Sequence, residues 1–329
     1  MLGLDRVSQV FRTQHGPVRA VDDVSLNVEP GQVLCLVGES GSGKTTTAKL
    51  AAGLRRPTDG AVRFLGQDIW RMDRNQFRTY RRAVQYIHQD PYASLNPVHS
   101  VAETLTTPLL HHGIARGRAD ALRKASDLLV MVDLTPPDNF LFKYPHQLSG
   151  GQRQRVSVAR ALTLQPKLIA ADEATSMLDV SIRVSLLNTL KRLSSELGVG
   201  FLFITHDLAI AKYFAWFGHV AVMYLGRVVE YGPTPAIINA PQHPYTRALL
   251  NAIPEPDPDL TRERERVRLR SVDIASLLHV PPGCGFHPRC PLFEEGLCDV
   301  VRPPLADLDS QRAVACHVVA REHSAALAG

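Results

Sequence analysis

Long hydrophobic runs are missing from this chain of 329 residues. No stretch approaches the roughly 18 uncharged apolar residues that a membrane-crossing helix needs. The opening MLGLDRVSQV lacks the apolar core of a signal peptide, so the expectation is a globular chain that stays inside the cell. A strong charge of one sign is also missing. The 37 Lys and Arg stand against 32 Asp and Glu, a net charge of +5, and the basic residues are spread along the chain. That argues against nucleic acid as a partner. Cysteine is scarce and unevenly placed: Cys35 sits in the apolar run Val33-Leu-Cys-Leu-Val37, while Cys284, Cys290, Cys298 and Cys316 share the C-terminal end. An intracellular location disfavours two structural disulfides, which leaves metal ligation or free thiols for those four.

What is present is ample core material, with 45% hydrophobic residues and a length that suits about two domains. Residues 1–31 alternate apolar and polar positions with a turn around His15 to Pro17, the pattern of short antiparallel strands. Gln32 to Val37 then reads as a buried strand, residues 38–43 as a glycine-rich loop and Lys44 to Leu54 as a helix. From Val101 to Leu134 the period is helical, with Ala121, Leu122, Ala125, Leu128, Leu129 and Val132 on one face. Leu168 to Ala171 and Gly200 to Thr205 are short apolar runs suited to buried parallel strands. The pattern predicts an α/β core interrupted by a helical subdomain. Ile253-Pro-Glu-Pro-Asp-Pro-Asp259 and the alternating charges of Arg262 to Arg270 read as a linker to a C-terminal module.

Gly38-Glu-Ser-Gly-Ser-Gly43-Lys44-Thr45 matches the phosphate-binding pattern G-x-x-x-x-G-K-[ST], between a predicted strand and a predicted helix. Glycines at these positions let backbone N–H groups, including those of Ser40, Gly41, Gly43 and Thr46, converge on phosphate oxygens. Lys44 neutralises the β and γ phosphates, and the Thr45 hydroxyl can ligate Mg²⁺. Asp172 and Glu173 are adjacent carboxylates at the C-terminal end of a predicted buried strand, where open α/β sheets bind ligands. Asp172 suits the Mg²⁺ shell and Glu173 can face an attacking water.

Leu148-Ser149-Gly150-Gly151-Gln152 stands between these two elements. The run resembles the signature of the ATP-binding-cassette family, at the spacing from the paired carboxylates that the family shows. The resemblance implies a phosphate-loop NTPase fold: a RecA-like core with an antiparallel β portion and a helical subdomain, plus a small C-terminal metal-binding module. The implied division is a nucleotide-binding domain over 1–250 with its helical subdomain at about 90–165, a linker over 251–271 and a C-terminal domain over 272–329. It also implies that Gln89 touches Mg²⁺ and the attacking water, that Asp179 belongs to the D-loop and that His206 reaches the γ-phosphate. Phe11 is similar in placement to the aromatic that stacks on adenine, with His15 as a near competitor. Ser149, Gly150, Gly151 and Gln152 would close on the nucleotide of a partner cassette.

Gln89-Asp-Pro-Tyr-Ala-Ser-Leu-Asn-Pro97, Ala221-Val-Met-Tyr-Leu-Gly-Arg-Val-Val-Glu230 and His243-Pro-Tyr-Thr-Arg-Ala-Leu-Leu250 are similar to ATPases that import dipeptides, oligopeptides or nickel. That likeness implies a second ATPase subunit, two transmembrane permease subunits, an extracytoplasmic solute-binding protein and a peripheral place on the cytoplasmic face of the membrane. The segment Ala215-Trp-Phe-Gly-His219 departs from the family and looks two residues longer. His111-His112 reads as an exposed helix end and not a metal pair. Soluble cassette ATPases of DNA repair or translation form the different-class alternative, but the second cassette, long coiled coil or zinc fingers usual in those are not seen here.

The four late cysteines are interleaved with Gly and Pro in a stretch without apolar periodicity, where metal ligation could supply stability. Four thiolates suit tetrahedral Zn²⁺ or an iron–sulfur cluster, and free thiols remain the third reading. The resemblance to peptide-importer ATPases implies a [4Fe–4S] cluster on Cys284, Cys290, Cys298 and Cys316, with His287 and His317 as adjacent substitutes.

Overall fold

The structure, a computed structural model, describes residues 1–14, 16–253, 267–273 and 275–328, with side chains to residue 325. His15 and most of the expected linker, residues 254–266, lie outside the described residues. The alternating N-terminal segment forms β1 (Leu2–Thr13) and β2 (Gly16–Val28), which pair antiparallel from Leu2 opposite Val28 to Thr13 opposite Gly16. With β4 (Asp59–Phe64) and β5 (Gln67–Asp68) they make a four-stranded sheet in the order β2-β1-β4-β5.

The second sheet carries the chemistry. Its five central strands run parallel: β9 (His219–Tyr224), β3 (Val33–Val37), β8 (Gly200–Thr205), β7 (Leu168–Asp172) and β6 (Val84–Ile87). Strands β7 and β8 are buried along their whole length, as the unbroken apolar runs require of a sheet covered on both faces. β10 (Arg227–Pro233) pairs antiparallel with β9. β11 (Ala306–Asp307) and β12 (Ala313–Val314) then extend the sheet beyond β10, Val314 opposite Glu230. The C-terminal segment thus supplies an edge of the core sheet. Its own apolar residues, Leu308, Val314, Val318 and Val319, form a small buried cluster, so it does not depend on metal alone for cohesion.

Helix α1 (Lys44–Ala51) follows β3 directly, and α2 (Arg74–Ala83) starts at an Asp73 capping box. The predicted helical stretch resolves into α3 (Pro91–Ser94), α4 (Val101–His111), α5 (Arg118–Met131), α6 (Asp138–Leu141) and α7 (Gly150–Leu162). The single run expected over Val101 to Leu134 is broken after His111, where Gly113 adopts φ 65° and interrupts the hydrogen-bond ladder. Ala121, Ala125, Leu128, Leu129 and Val132 are buried as their shared face predicts, and Leu122 is half-buried. Helix α8 (Val180–Leu197) leads into β8, and α9 (Leu208–Phe214) into β9. The longer segment is therefore a loop after α9. Gly218 is forced within it, since a Cβ there would stand 2.2 Å from the Val33 carbonyl oxygen. Short helices α10 (Thr234–Asn239) and α11 (Pro244–Asn251) complete this half, and His317–Ala328 closes the described chain as a helix.

Candidate functional site

The site lies at the C-terminal ends of β3, β7 and β8. The phosphate loop bends between β3 and α1 through glycines the backbone demands. Gly43 has φ 103°, and a Cβ on it would stand 2.1 Å from the Ala20 carbonyl oxygen; a Cβ on Gly38 would come equally close to that of Met223. Gly41 (φ 79°) and Ser40 are exposed, and Thr45 and Thr46 are half-buried at the first turn of α1. Lys44 is buried, its ammonium donating to the Gly38 and Glu39 carbonyls at 2.7 and 2.8 Å. Burial holds its pKa below the ordinary lysine value, opposed by the negative charges of Glu173, Asp172 and Glu39.

The paired carboxylates diverge as their adjacency predicts. Asp172, buried at the end of β7, accepts from the Thr45 hydroxyl at 2.9 Å and from the Tyr86 phenol at 2.6 Å. A hydroxyl and a carboxylate oxygen facing each other are a hard-oxygen donor pair that fits Mg²⁺. Tyr86 belongs to no sequence motif. It lies on β6 three residues before Gln89, and only the pairing of β6 with β7 brings it to Asp172. Burial and the Asp172 charge push its pKa up, so it remains a donor. Glu173 turns away from Asp172 on a left-handed backbone, φ 44°, a strained conformation for a residue with a side chain. One carboxylate oxygen is 3.2 Å from the Gln89 side-chain nitrogen, and the other is 3.4 Å from His206 Nδ1.

The signature residues are placed apart from this group. Ser149 caps α7, accepting from the Gln152 amide at 3.3 Å while the Gln152 side chain accepts from the Ser149 amide. Gly150 has open space where a Cβ would be; Gly151 is pressed against Ile182 of α8, where a Cβ would stand at 2.6 Å. Asp179 caps α8 through the Ile182 amide at 3.0 Å, flanked by exposed Met177 and Val180. Phe11 is half-buried on β1 with the Arg55 guanidinium 4.7 Å from its ring centre.

Cys284, Cys290, Cys298 and Cys316 are free thiols that line one small cavity, with His243, His287 and His317 at its wall. Among the described residues, no three His, Cys, Asp or Glu side chains are disposed as a ready metal-ligand set. The cavity, about 10 Å³, holds little more than a water-sized group. The expected iron–sulfur module is therefore not present as a formed ligand set. The donor chemistry suits a soft metal. Burial pushes the Cys284 and Cys290 thiols up to about 11 and about 12, with the neighbouring cysteines adding to both.

Residues 21–176 match the family described as ABC transporter, and residues 229–298 match the oligopeptide/dipeptide transporter, C-terminal region. A probable peptide ABC transporter ATP-binding protein of Sinorhizobium fredii is 46% identical over 94% of this chain and 85% of its own length. The chain belongs to the ABC transporter family. A di/tripeptide transport ATP-binding protein of Pseudomonas aeruginosa is 43% identical, covering 94% of this chain and 93% of that protein. Among solved structures, an ATP-binding cassette in a dimeric, post-hydrolysis state bound to ADP and Pi is 29% identical. It superposes with TM-score 0.63 over 71% of this chain and 99% of the other. The α/β cassette fold and ATPase membership follow. The C-terminal match ends at Cys298, so Cys316 reaches the thiol cavity from outside it.

Proposed function

We propose that this cassette is the ATP-hydrolysing subunit of an importer for di- and oligopeptides. The observation that carries the chemistry is Glu173, held between Gln89 and His206 beside the Thr45–Asp172 pair. Thr45, Asp172 and Gln89 would hold Mg²⁺, which supplies charge neutralisation on the phosphates. Glu173 orients and deprotonates the attacking water, Gln89 fixes the carboxylate, and His206 reaches toward the γ-phosphate. Lys44 leaves the loop carbonyls for the phosphates. Ser149, Gly150, Gly151, Gln152 and Asp179 face a second cassette, and Phe11 stacks on adenine. Two such cassettes close around nucleotide and part after hydrolysis.

The peptide assignment is supported by the names of the relatives and by the C-terminal match. In this reading residues 1–250 bind nucleotide and 272–329 form the C-terminal domain. The partners are a second ATPase, two permease subunits and an extracytoplasmic binding protein, with this chain peripheral on the cytoplasmic face of the membrane. No helix of the described residues is long and apolar enough to cross a membrane. The four thiols take a [4Fe–4S] cluster on assembly; the small cavity favours a single zinc as the second reading. Purification of the tagged chain from its native membrane tests the whole reading. Two permeases should accompany it, and peptide with binding protein should stimulate ATP hydrolysis. Recovery without permeases, or stimulation by nickel or nucleic acid in place of peptide, would refute it.

A further inference from the structure

The C-terminal segment reaches the phosphate loop. Glu39, within that loop, is held at three points. Its amide donates to the Tyr245 hydroxyl at 2.9 Å, its carbonyl accepts from Lys44 at 2.8 Å, and its two carboxylate oxygens lie 3.1 and 3.2 Å from one guanidinium nitrogen of Arg289. The Arg289 side chain is 9% exposed. Its backbone amide donates to Phe286 at 3.0 Å, and the Phe286 ring packs on Tyr224 and Tyr245 with centres 5.4 and 5.5 Å away. Tyr245 is itself set by its backbone N–H, which donates to His243 Nδ1 at 3.0 Å, and the His243 N–H in turn donates to the buried Glu230 carboxylate. The guanidinium is therefore carried on a rigid aromatic anchor and is not a mobile surface charge.

A carboxylate inside a loop that holds a polyanion is a liability. Unpaired, Glu39 would repel the phosphates and compete with them for Lys44. Paired with a largely buried guanidinium, its charge is cancelled where it stands. We propose that Arg289 is a positioning residue for nucleotide binding: it neutralises Glu39 beside the phosphates, so ATP affinity depends on the C-terminal segment that carries Arg289 being docked. The proposal rests on the nucleotide-site reading above and adds to it a control residue from the other end of the chain.

The test is titration of the full-length chain with a fluorescent ATP analogue, for wild type, Arg289→Met, Glu39→Gln, the double variant and Arg289→Lys. Arg289→Met should weaken binding about fivefold or more, whereas Glu39→Gln should bind as well as wild type or tighter. The double variant and Arg289→Lys should both return to within about twofold of wild type. Opposite effects from the two partners of one ion pair are what neutralisation requires; a purely architectural pair loses affinity from either side. A folded Arg289→Met with wild-type affinity, or a double variant as weak as Arg289→Met, would overturn the proposal. If Arg289→Met does not fold, weakened binding by Glu39→Gln overturns it and unweakened binding supports it. A Lys44→Ala control separates the two readings: wild-type affinity there would mean that the nucleotide-site reading itself has failed.

Discussion

The Glu173 carboxylate stands 3.4 Å from the imidazole of His206, each residue one step beyond the end of a parallel strand. Strands β7 and β8 are neighbours in register, Asp172 opposite Ile204, and the Glu173 amide donates to Ile204 at 3.1 Å. The sheet therefore carries both side chains to the same edge, one register step apart. Glu173→Gln should keep ATP affinity and lower turnover by about a hundredfold or more, the usual loss for a general base. Phosphate release checks the rate, and gel filtration with ATP should reveal an accumulating cassette dimer. Turnover within a few-fold of wild type would remove Glu173 from its role.

Lys44→Ala acts on an earlier step. The buried ammonium is the principal side-chain cation of the loop, and a hydrogen bond to a charged partner contributes about 1.5–3 kcal/mol. Nucleotide affinity should fall by about tenfold or more, read by calorimetry, with thermal stability of the free chain little changed.

Two glycines of the same loop separate steric from conformational need. Gly43→Ala places a Cβ against the Ala20 carbonyl in a left-handed backbone, and should both destabilise the chain and abolish nucleotide binding. Gly41→Ala meets no atom within 4 Å and carries only the backbone penalty of about 1–2 kcal/mol. Urea unfolding of the two variants should rank them in that order.

Asp22 ties three elements together. It accepts from Arg19 at 2.9 Å, Arg227 at 2.8 Å and Arg302 at 3.0 Å, joining the N-terminal sheet to β10 and the C-terminal segment. Burial works against its charge, but the Arg227 and Arg19 hydrogen bonds prevail and hold its pKa below the ordinary carboxylate value. Asp22→Asn should cost about 1–3 kcal/mol, less than for a fully buried network because the arginines are partly exposed. A depressed carboxylate pKa means that this contribution is complete above the unfolded pKa and is lost as pH falls through the folded one. The difference in urea midpoint between wild type and variant should be constant above about pH 4 and shrink below it.

The thiol cavity gives the last prediction. Protein assembled and purified without oxygen should be brown and absorb broadly near 400 nm if iron–sulfur ligation holds, and colourless with one equivalent of metal if zinc does. Cys290→Ser should lose the metal in either case. Because Cys290 adjoins Arg289, this variant should also weaken ATP-analogue binding, where an independent module would leave it untouched. Stoichiometric metal in a Cys290→Ser chain would argue against the assignment.

The sequence by itself determined the parts whose chemistry is local. The phosphate loop and the adjacent carboxylates lie within a few residues, so their spacing already states their geometry. The buried strands at Leu168 and Gly200 were legible because a sheet covered on both faces needs unbroken apolar runs. Only the tertiary structure decided the rest. Tyr86 reaches Asp172 because β6 happens to pair with β7, and Arg289 reaches Glu39 because Phe286 seats its segment on Tyr224 and Tyr245. The C-terminal stretch reads as separable in sequence because its Gly, Pro and Cys residues carry no helical or strand period. Its cohesion comes from its own small apolar cluster and from contacts with β10 and the aromatic cluster, partners far away in sequence that no local pattern encodes.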